Sequence, residues 1–425
     1  MMRSTKKIFW LAIMLWLIFN RGLAGNIGYL IFDFICIVCI IRYGINGIIT
    51  KYTLPLLLLP IFPLVMGICG NNADATNFEI FKDLYYFLNP VFAIIIGQYI
   101  AMKNSTSVIL RAIKMSGILS TVVLSVSVFL SIGFDGLINP REAREVSLIQ
   151  ANSTIIVAAS IYWYEILFSK KNSIQNKHAW LGFILCIIGV YLSGTRTLWI
   201  SEIIFMFFTG WSYYKKHHAK TIIYISICGC IVASLFIFNP DNPMIKLILH
   251  SKSEISSNHS FTNNRDINVN WRGYEIYMAL KSFEEYNFFE KILGHGFGTK
   301  VDVGSAEFLG KRYIPILHNG YPYILVKSGY LGILLLFVWG TVNIYKCSHI
   351  RKSFMQNATL FKSLSIASII MLFITNSSVT TYVNPNYNGS LFIIGVLYYY
   401  YSKYLIIHNE RLYHYRQLQY RRSPY

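Results

Sequence analysis

The sequence predicts an all-α polytopic membrane protein, with about twelve transmembrane helices and one large outer (periplasmic) loop that contains short helices. Of its 425 residues, 54% are hydrophobic and only 13% are charged, whereas soluble domains carry about 25% charged residues. Apolar runs of about 20 residues, near the length of a bilayer span, recur along the whole chain. No hydrophilic segment is long enough for a second domain, so residues 1–425 are expected to form a single integral membrane domain.

Hydropathy divides the chain into the predicted spans 8–20, 27–41, 53–69, 84–102, 115–133, 151–168, 179–194, 197–214, 221–238, 317–345, 359–375 and 388–406. The first span is the weakest, because its strongly apolar part is shorter than a bilayer requires. It also resembles the apolar core of a signal peptide. No convincing small-residue cleavage site follows it, which favours a short helix.

One connection is much longer than the others. Residues 239–316 separate the ninth and tenth predicted spans and form the large outer loop. A helix is predicted there from Asn270, as its N-cap, to about Phe283, followed by a glycine-rich turn at 294–298. Loops longer than about 15 residues are usually functional or disordered. The mixture of aromatic and charged residues in this one favours function.

The net charge of +19 does not indicate a nucleic-acid partner. If the N-terminus is cytoplasmic, most lysines and arginines fall in short inner segments such as 103–114, 170–177 and 215–220. This asymmetry is the positive-inside rule, which arises from membrane insertion rather than from ligand binding. It predicts that both termini are cytoplasmic and that the long loop lies on the outer face.

His318 is the first candidate for chemistry, because it lies where the long loop meets the tenth span. Pro322 falls in the first turn of that helix, where proline is tolerated. Free amide groups and the positive end of the helix dipole are then expected near His318, which suits an anion such as phosphate. A neutral imidazole there can act as a general base toward a sugar hydroxyl. The alternative is an interfacial histidine bonded to a backbone carbonyl.

Two arginines are predicted on the same face as His318. Arg196 lies in a tight turn between the seventh and eighth spans, where it can bind a pyrophosphate through two hydrogen bonds or extend to lipid headgroups. Arg272 lies on the loop helix, where a surface salt bridge to Glu275 is the simpler interpretation. Arg265, in a segment without a clear pattern, is a weaker third candidate.

Other polar residues within spans favour different functions. Asp33, Glu165, Glu202 and Lys327 are costly in a membrane unless they are paired or near an interface. Asp33 and Lys327 are the deepest, and an ion path through them would indicate a transporter or flippase of lipid-linked sugars. Against that interpretation, the chain shows no inverted repeat.

Metal and cofactor signals are weak. Cys36 and Cys39 have metal-like spacing without a second ligand pair, which favours packing over zinc. The chain has no paired aspartates of the D-x-D kind, so a metal-independent reaction is expected. The glycine turn lacks the strand–turn–helix context of a dinucleotide site and is interpreted as a backbone reversal. No cofactor is expected.

Several motifs around the long loop resemble those of the O-antigen ligase/polymerase family of bacterial envelope glycosyltransferases. They are Ser193-Gly194-Thr195-Arg196-Thr197, Trp271-Arg272, Leu293-Gly294-His295-Gly296-Phe297-Gly298 and His318-Asn319-Gly320-Tyr321, which leads into Gly329-Tyr330-Leu331-Gly332. The resemblance covers about residues 190–340, and its order and spacing are more specific than any single motif.

The resemblance implies an inverting enzyme of the bacterial inner (plasma) membrane that acts at the outer leaflet on undecaprenyl-pyrophosphate-linked oligosaccharide. By analogy, His318 activates the acceptor hydroxyl, while Arg196 and Arg272 hold the pyrophosphate. Arg265, Asn319, Tyr321 and Gly296 are expected to contribute to substrate binding. A polymerase for O-antigen or capsular polysaccharide is favoured, with a ligase that transfers glycan to lipid A-core as the alternative. A chain-length regulator protein is the expected partner.

Overall fold

The computed structural model describes residues 2–19, 53–69, 75–138, 153–168, 173–215, 264–304, 312–350 and 357–404, with isolated residues between these ranges. Almost all of the described chain is helical. In chain order the elements are α1 Met2–Phe19, α2 Leu54–Cys69, α3 Asn77–Lys103, α4 Thr106–Ile132, α5 Asp135–Ile138, α6 Ser153–Phe168, α7 Ser173–Leu192, α8 Arg196–Tyr214, α9 Asn264–Val269, α10 Trp271–Glu284, α11 Phe288–Leu293, β1 Val301–Asp302, β2 Tyr313–Ile314, α12 Gly320–His349, α13 Ala358–Thr375, a 3-10 turn Pro385–Tyr387 and α14, 388–404.

The all-α membrane architecture is confirmed in outline. Within the described residues, the helices long and apolar enough to cross a membrane are α3, α4, α12 and α13. Every predicted span coincides with a described helix except 27–41 and 221–238, which lie outside the described ranges apart from isolated positions. The total of about twelve spans and the position of the long loop relative to the membrane stay predictions.

The loop differs from the prediction in two details. Its closing segment forms a two-stranded antiparallel sheet, in which Val301 pairs with Ile314. Asn270 does stand at the N-cap position of α10, but it makes no capping hydrogen bond. Its side-chain Nδ2 donates instead to Oδ1 of Asp266 at 2.9 Å, because α9 leads almost directly into α10.

The core of the bundle depends on close packing of glycines and aromatic rings. A Cβ on Gly97 of α3 would lie 2.2 Å from the carbonyl O of Phe392, and one on Gly395 of α14 would lie 2.1 Å from that of Ile94. These two helices therefore approach as closely as small residues allow in membrane proteins. Phe87 of α3 contacts Phe297 of the loop and Tyr323 of α12, with ring centroids 5.0 and 5.7 Å apart. The loop is thus packed into the helix bundle.

Contacts between helix ends define two ends of the bundle. A cavity of about 840 Å³ is lined by Ser107, Glu165, His178 and Leu360, so α4, α7 and α13 begin there and α6 ends there. We call this the basic end, because Arg111 and Lys114 line the same cavity. Such a concentration of cations is what the charge asymmetry predicts. The side of the membrane that it faces stays a prediction.

The opposite end is where α13 ends and α12 begins. The N–H of Gly320 donates to the carbonyl O of Asn376 at 2.9 Å, which joins these two helix termini. We call this the loop end, because α10 and α11 pack against α12 and the strand pair packs against α10 through β1. A second cavity, at the basic end, is lined by Trp211 and Lys215 together with Thr359 of α13. Helix α8 therefore ends at the basic end, and its first residue, Arg196, lies toward the loop end.

Candidate active site at the junction of loop and helix

His318 lies where the loop meets α12, against a buried glutamate. Its Nδ1 is 3.2 Å from Oε2 of Glu275, and its backbone N–H donates to the same oxygen at 2.9 Å. The side chain of Glu275 is 1% exposed, whereas that of His318 is 43% exposed. Glu275 therefore holds both the backbone and the ring of His318 from inside the protein, while the ring keeps an accessible face.

This contact selects one tautomer of the ring. An ionised carboxylate accepts hydrogen bonds and has no proton to donate. Opposite an ionised Glu275, the Nδ1 of His318 carries the proton, and in the neutral imidazole the lone pair then lies on Nε2. The nitrogen able to accept a proton is thus the one that does not face Glu275.

Helix α10 brings Arg272 to the same place. It runs in the same direction as the start of α12, since Glu275 contacts His318 and Phe283, two turns later, packs edge-on against Tyr330 with centroids 5.2 Å apart. Arg272 precedes Glu275 by three residues, and residues at this spacing have Cβ atoms about 5–6 Å apart. Arg272 is therefore a helical neighbour of the carboxylate that holds His318.

The interpretation of Glu275 as a surface partner of Arg272 is wrong, because Glu275 is buried and bonded to His318. The i+3 spacing predicted a contact on the exposed face of an isolated helix. Packing of α10 against α12 turns that part of the helix inward instead. Tyr274, Glu275, Ala279 and Phe283 are all buried on it.

Arg196 begins α8 at the loop end. The turn before it is held by Ser193, whose Oγ donates to the carbonyl O of Val190 at 2.6 Å, and by Gly194, which has a positive φ of 58°. The first residues of a helix carry the positive end of its dipole, so Arg196 adds its charge to a helix terminus already suited to anions. The structure thus confirms the tight turn and places Arg196 and His318 toward the same end of the bundle.

The expectation of free amide groups beside His318 is wrong. The N–H of Gly320 donates to the carbonyl O of Asn376, that of Tyr321 donates to Oδ1 of Asn319 at 3.1 Å, and Pro322 has none. The N–H of His318 itself is bonded to Glu275. The start of α12 is therefore satisfied within the protein, and an anion near His318 depends on side chains for its hydrogen bonds.

The side chains of Asn319 and Tyr321 are used in packing. Asn319 caps α12, and its Nδ2 donates to the carbonyl O of Ser377. The hydroxyl of Tyr321 donates to the carbonyl O of Phe373 at 2.7 Å, and its ring lies parallel to that of Phe337. These contacts join the start of α12 to α13. Both residues therefore have a structural role beside the substrate binding expected from the resemblance.

The glycine turn is a backbone reversal, as the sequence predicts. Gly294, Gly296 and Gly298 all have positive φ, at 83°, 98° and 84°. A Cβ on Gly296 would lie 2.3 Å from the backbone N of Gly67 in α2, and its N–H donates to the carbonyl O of Lys327 at 3.2 Å. Gly296 thus fits between two helices, which gives it a structural role beside the substrate contact expected from the resemblance.

A buried ion pair anchors this turn to the bundle. Lys327 Nζ lies 2.6 Å from Oδ2 of Asp83 in α3, and the N–H of Gly298 donates to the same oxygen at 2.8 Å. Oδ1 of Asp83 accepts from the hydroxyl of Tyr323 at 2.7 Å, and Lys327 also donates to the carbonyl O of Thr299. Lys327 is therefore bonded to both α3 and the loop as an anchor, which explains its position without an ion path.

Two loop groups have shifted pKa values. The hydrogen bond from Arg312 lowers the pKa of the Asp302 carboxyl. In this bond Nη2 of Arg312 lies 2.7 Å from Oδ2 of Asp302. Burial raises the pKa of the Tyr274 hydroxyl, which donates to the carbonyl O of Val303 at 2.8 Å. The first contact ties the two strands together, and the second joins the end of β1 to α10.

Some predicted residues lie outside the described part of the chain. They are Asp33, Cys36, Cys39 and the side chain of Arg265, whose backbone belongs to α9. Of the other charged residues in spans, Glu165 accepts from Lys114 at 2.6 Å. Glu202 is buried, and its oxygens have no hydrogen-bond partner among the described residues.

Residues 181–337 match a family model described as O-antigen ligase. This segment is therefore similar to the O-antigen ligase family over somewhat more than a third of the chain. It runs from α7 into α12 and contains Arg196, Arg272 and His318, as well as the turn at Gly296. The resemblance inferred from the motifs is thereby confirmed for residues 181–337. A search of curated proteins finds no match to the chain.

Sequence reasoning missed Glu275 and Asp83 as parts of this site. Both are isolated carboxylates whose partners lie far along the chain, at His318 and Lys327. The one signal for Asp83 was its position close to a predicted span, where an unpaired carboxylate is costly. For Glu275 the sequence offered only its spacing from Arg272.

Proposed function

We propose that this protein is a polymerase of O-antigen or a related surface polysaccharide, which joins undecaprenyl-pyrophosphate-linked oligosaccharide repeat units at the outer face of the bacterial inner membrane. The observation that carries the proposal is the pair of His318 and Glu275, with Glu275 on the same helix as Arg272 and all three within the segment that matches the O-antigen ligase family model. In that arrangement a histidine and a buried carboxylate meet where a polar loop joins an apolar helix, and Arg272 lies about one helical turn before the carboxylate.

The chemistry follows from the exposed ring of His318. A hydroxyl of one repeat unit transfers its proton to Nε2 as its oxygen attacks the anomeric carbon of the donor glycan. The bond from that carbon to the pyrophosphate oxygen breaks, and its electron pair leaves with undecaprenyl pyrophosphate. Attack opposite to the leaving group inverts the anomeric centre. The reaction requires neither a nucleotide sugar nor a cofactor.

Arg196 and Arg272 supply the charge that this reaction needs. The departing pyrophosphate gains negative charge in the transition state, and guanidinium groups stabilise it through paired hydrogen bonds. The backbone amides at the start of α12 are occupied. This supports assigning pyrophosphate binding to Arg196 and Arg272, and we assign Arg265 as a third contributor.

A ligase that transfers glycan to lipid A-core is the second candidate. It is favoured by the description of the matching family model, O-antigen ligase. The same base and arginines serve either acceptor. The two functions therefore differ only in which acceptor hydroxyl binds beside His318, that of a second repeat unit or that of lipid A-core. A transporter of lipid-linked sugars has less support, since Lys327 is bonded to Asp83 and the carbonyl of Thr299.

A gel of surface glycan from a strain lacking the gene separates these functions. A polymerase-deficient strain attaches single repeat units to lipopolysaccharide, and the wild-type gene restores a ladder. A strain without ligase accumulates long lipid-linked chains and no attached glycan. A strain without a transporter accumulates single lipid-linked repeat units on the cytoplasmic side. Either of the last two patterns contradicts the polymerase proposal.

A further inference from the structure

We propose that Glu275 is a positioning residue for the base, and that it sets which nitrogen of His318 accepts the proton. The inference rests on the proposed glycosyl transfer and adds a residue to its machinery. It is carried by the burial of Glu275 and by the two hydrogen bonds that it receives from His318.

The partners of Glu275 point to this role. Among the described residues, His318 is the only hydrogen-bonding partner of its side chain, through the backbone N–H at 2.9 Å and Nδ1 at 3.2 Å. A buried carboxylate costs free energy unless it is paired and hydrogen-bonded. A residue needed only for packing of α10 against α12 would be apolar at this position, like Ala279 and Phe283. The hydrogen bonds to His318 therefore explain why a carboxylate occupies this buried position.

The carboxylate acts at two stages of the reaction. Before proton transfer it accepts from Nδ1–H, which leaves the lone pair on Nε2 toward the acceptor hydroxyl. After transfer, His318 is an imidazolium with both nitrogens protonated, and the negative charge of Glu275 stabilises it. When that proton passes to solvent from Nε2, the ring returns to the same tautomer.

The test uses the purified full-length protein with Glu275→Gln. An amide can donate to Nδ1 and thereby favour the tautomer with its proton on Nε2, which cannot accept another. We expect kcat for polymerisation of a lipid-linked repeat unit to fall by a factor on the order of 10² or more, while KM stays within about threefold. Glu284→Gln, an exposed residue at the end of the same helix, is the matched control and should behave as wild type.

A second readout does not need the substrate. Diethyl pyrocarbonate modifies the unprotonated nitrogen of an accessible histidine, and peptide mass spectrometry measures the rate at each site. In Glu275→Gln we expect slower modification of His318, whereas His349, exposed at the other end of α12, is unchanged within the same molecules. Unchanged modification of His318 together with unchanged kcat overturns the proposal.

Glu275→Asp covers the case in which the glutamine variant does not fold. It keeps the charge on a shorter side chain, so we expect higher kcat and faster modification of His318 than in Glu275→Ala. Equal values for the two variants would show that the carboxylate is not what matters. Failure of the wild-type protein to extend any lipid-linked glycan would count against the proposed function instead, because the modification experiment still reports on Glu275.

Discussion

Nζ of Lys327 and Oδ2 of Asp83 are 2.6 Å apart, with side chains 2% and 1% exposed, and together they tie the glycine turn of the loop to two helices of the bundle. Charges in a membrane are tolerated when they are paired and bonded. This pair joins α3, α12 and the loop backbone at one point. It therefore helps to fix the loop from which α10 presents Arg272 and Glu275.

Removal of one partner leaves the other charge buried. We expect Lys327→Met to lower the free energy of unfolding by about 3–5 kcal/mol, measured by thermal or denaturant unfolding in detergent. Adding Asp83→Asn should recover part of the loss, since no buried charge then remains. Lys281→Met, at an exposed position of α10, is the control. Equal stability of wild type and Lys327→Met would show that the pair does not anchor the loop.

Gly329 allows the loop to approach α12. Its backbone, at φ 62° and ψ −164°, breaks the helix, and the carbonyls of Val326 and Lys327 accept hydrogen bonds from His295 and Gly296 there. A Cβ on Gly329 would lie 2.4 Å from the carbonyl O of Ile292. The kink and the close contact thus occur at the same residue.

Gly329→Ala is expected to combine backbone strain with this collision, and so to lower stability and activity together. Gly133 is a matched control: its backbone is similar, at φ 67° and ψ −146°, and a Cβ there meets nothing within 4 Å. Gly133→Ala should cost only the strain, about 1–3 kcal/mol. Thermal unfolding measures the loss of stability in each variant. Equal losses in Gly329→Ala and Gly133→Ala would contradict a collision at Gly329.

Arg272 is expected to need its guanidinium group. A lysine keeps the charge but cannot make two parallel hydrogen bonds to a pyrophosphate. We expect both Arg272→Gln and Arg272→Lys to lower kcat, by a factor on the order of 10² for the glutamine variant. Initial rates with a lipid-linked donor measure this, with Lys281→Gln as control. Full activity of Arg272→Lys would mean that charge alone suffices there.

The sequence predicts the helical framework well because apolar runs and bilayer length determine it locally. It also offers Arg196, Arg272 and His318 as candidates for chemistry, and their catalytic roles stay predictions. The details that failed depend on distant contacts. The amide of Gly320 is occupied because α13 ends against it, and Glu275 is buried because α10 packs on α12. Neither contact has a local sequence signal.

The most direct test of the account is polymerisation by purified His318→Ala with an undecaprenyl-pyrophosphate-linked repeat unit in a membrane mimic. His349→Ala, at the exposed end of the same helix, serves as the matched control. We expect the wild type and His349→Ala to produce a ladder of extended glycans, and His318→Ala, folded to the same melting temperature, to leave single repeat units. A normal ladder from His318→Ala would contradict the assignment of His318 as the base.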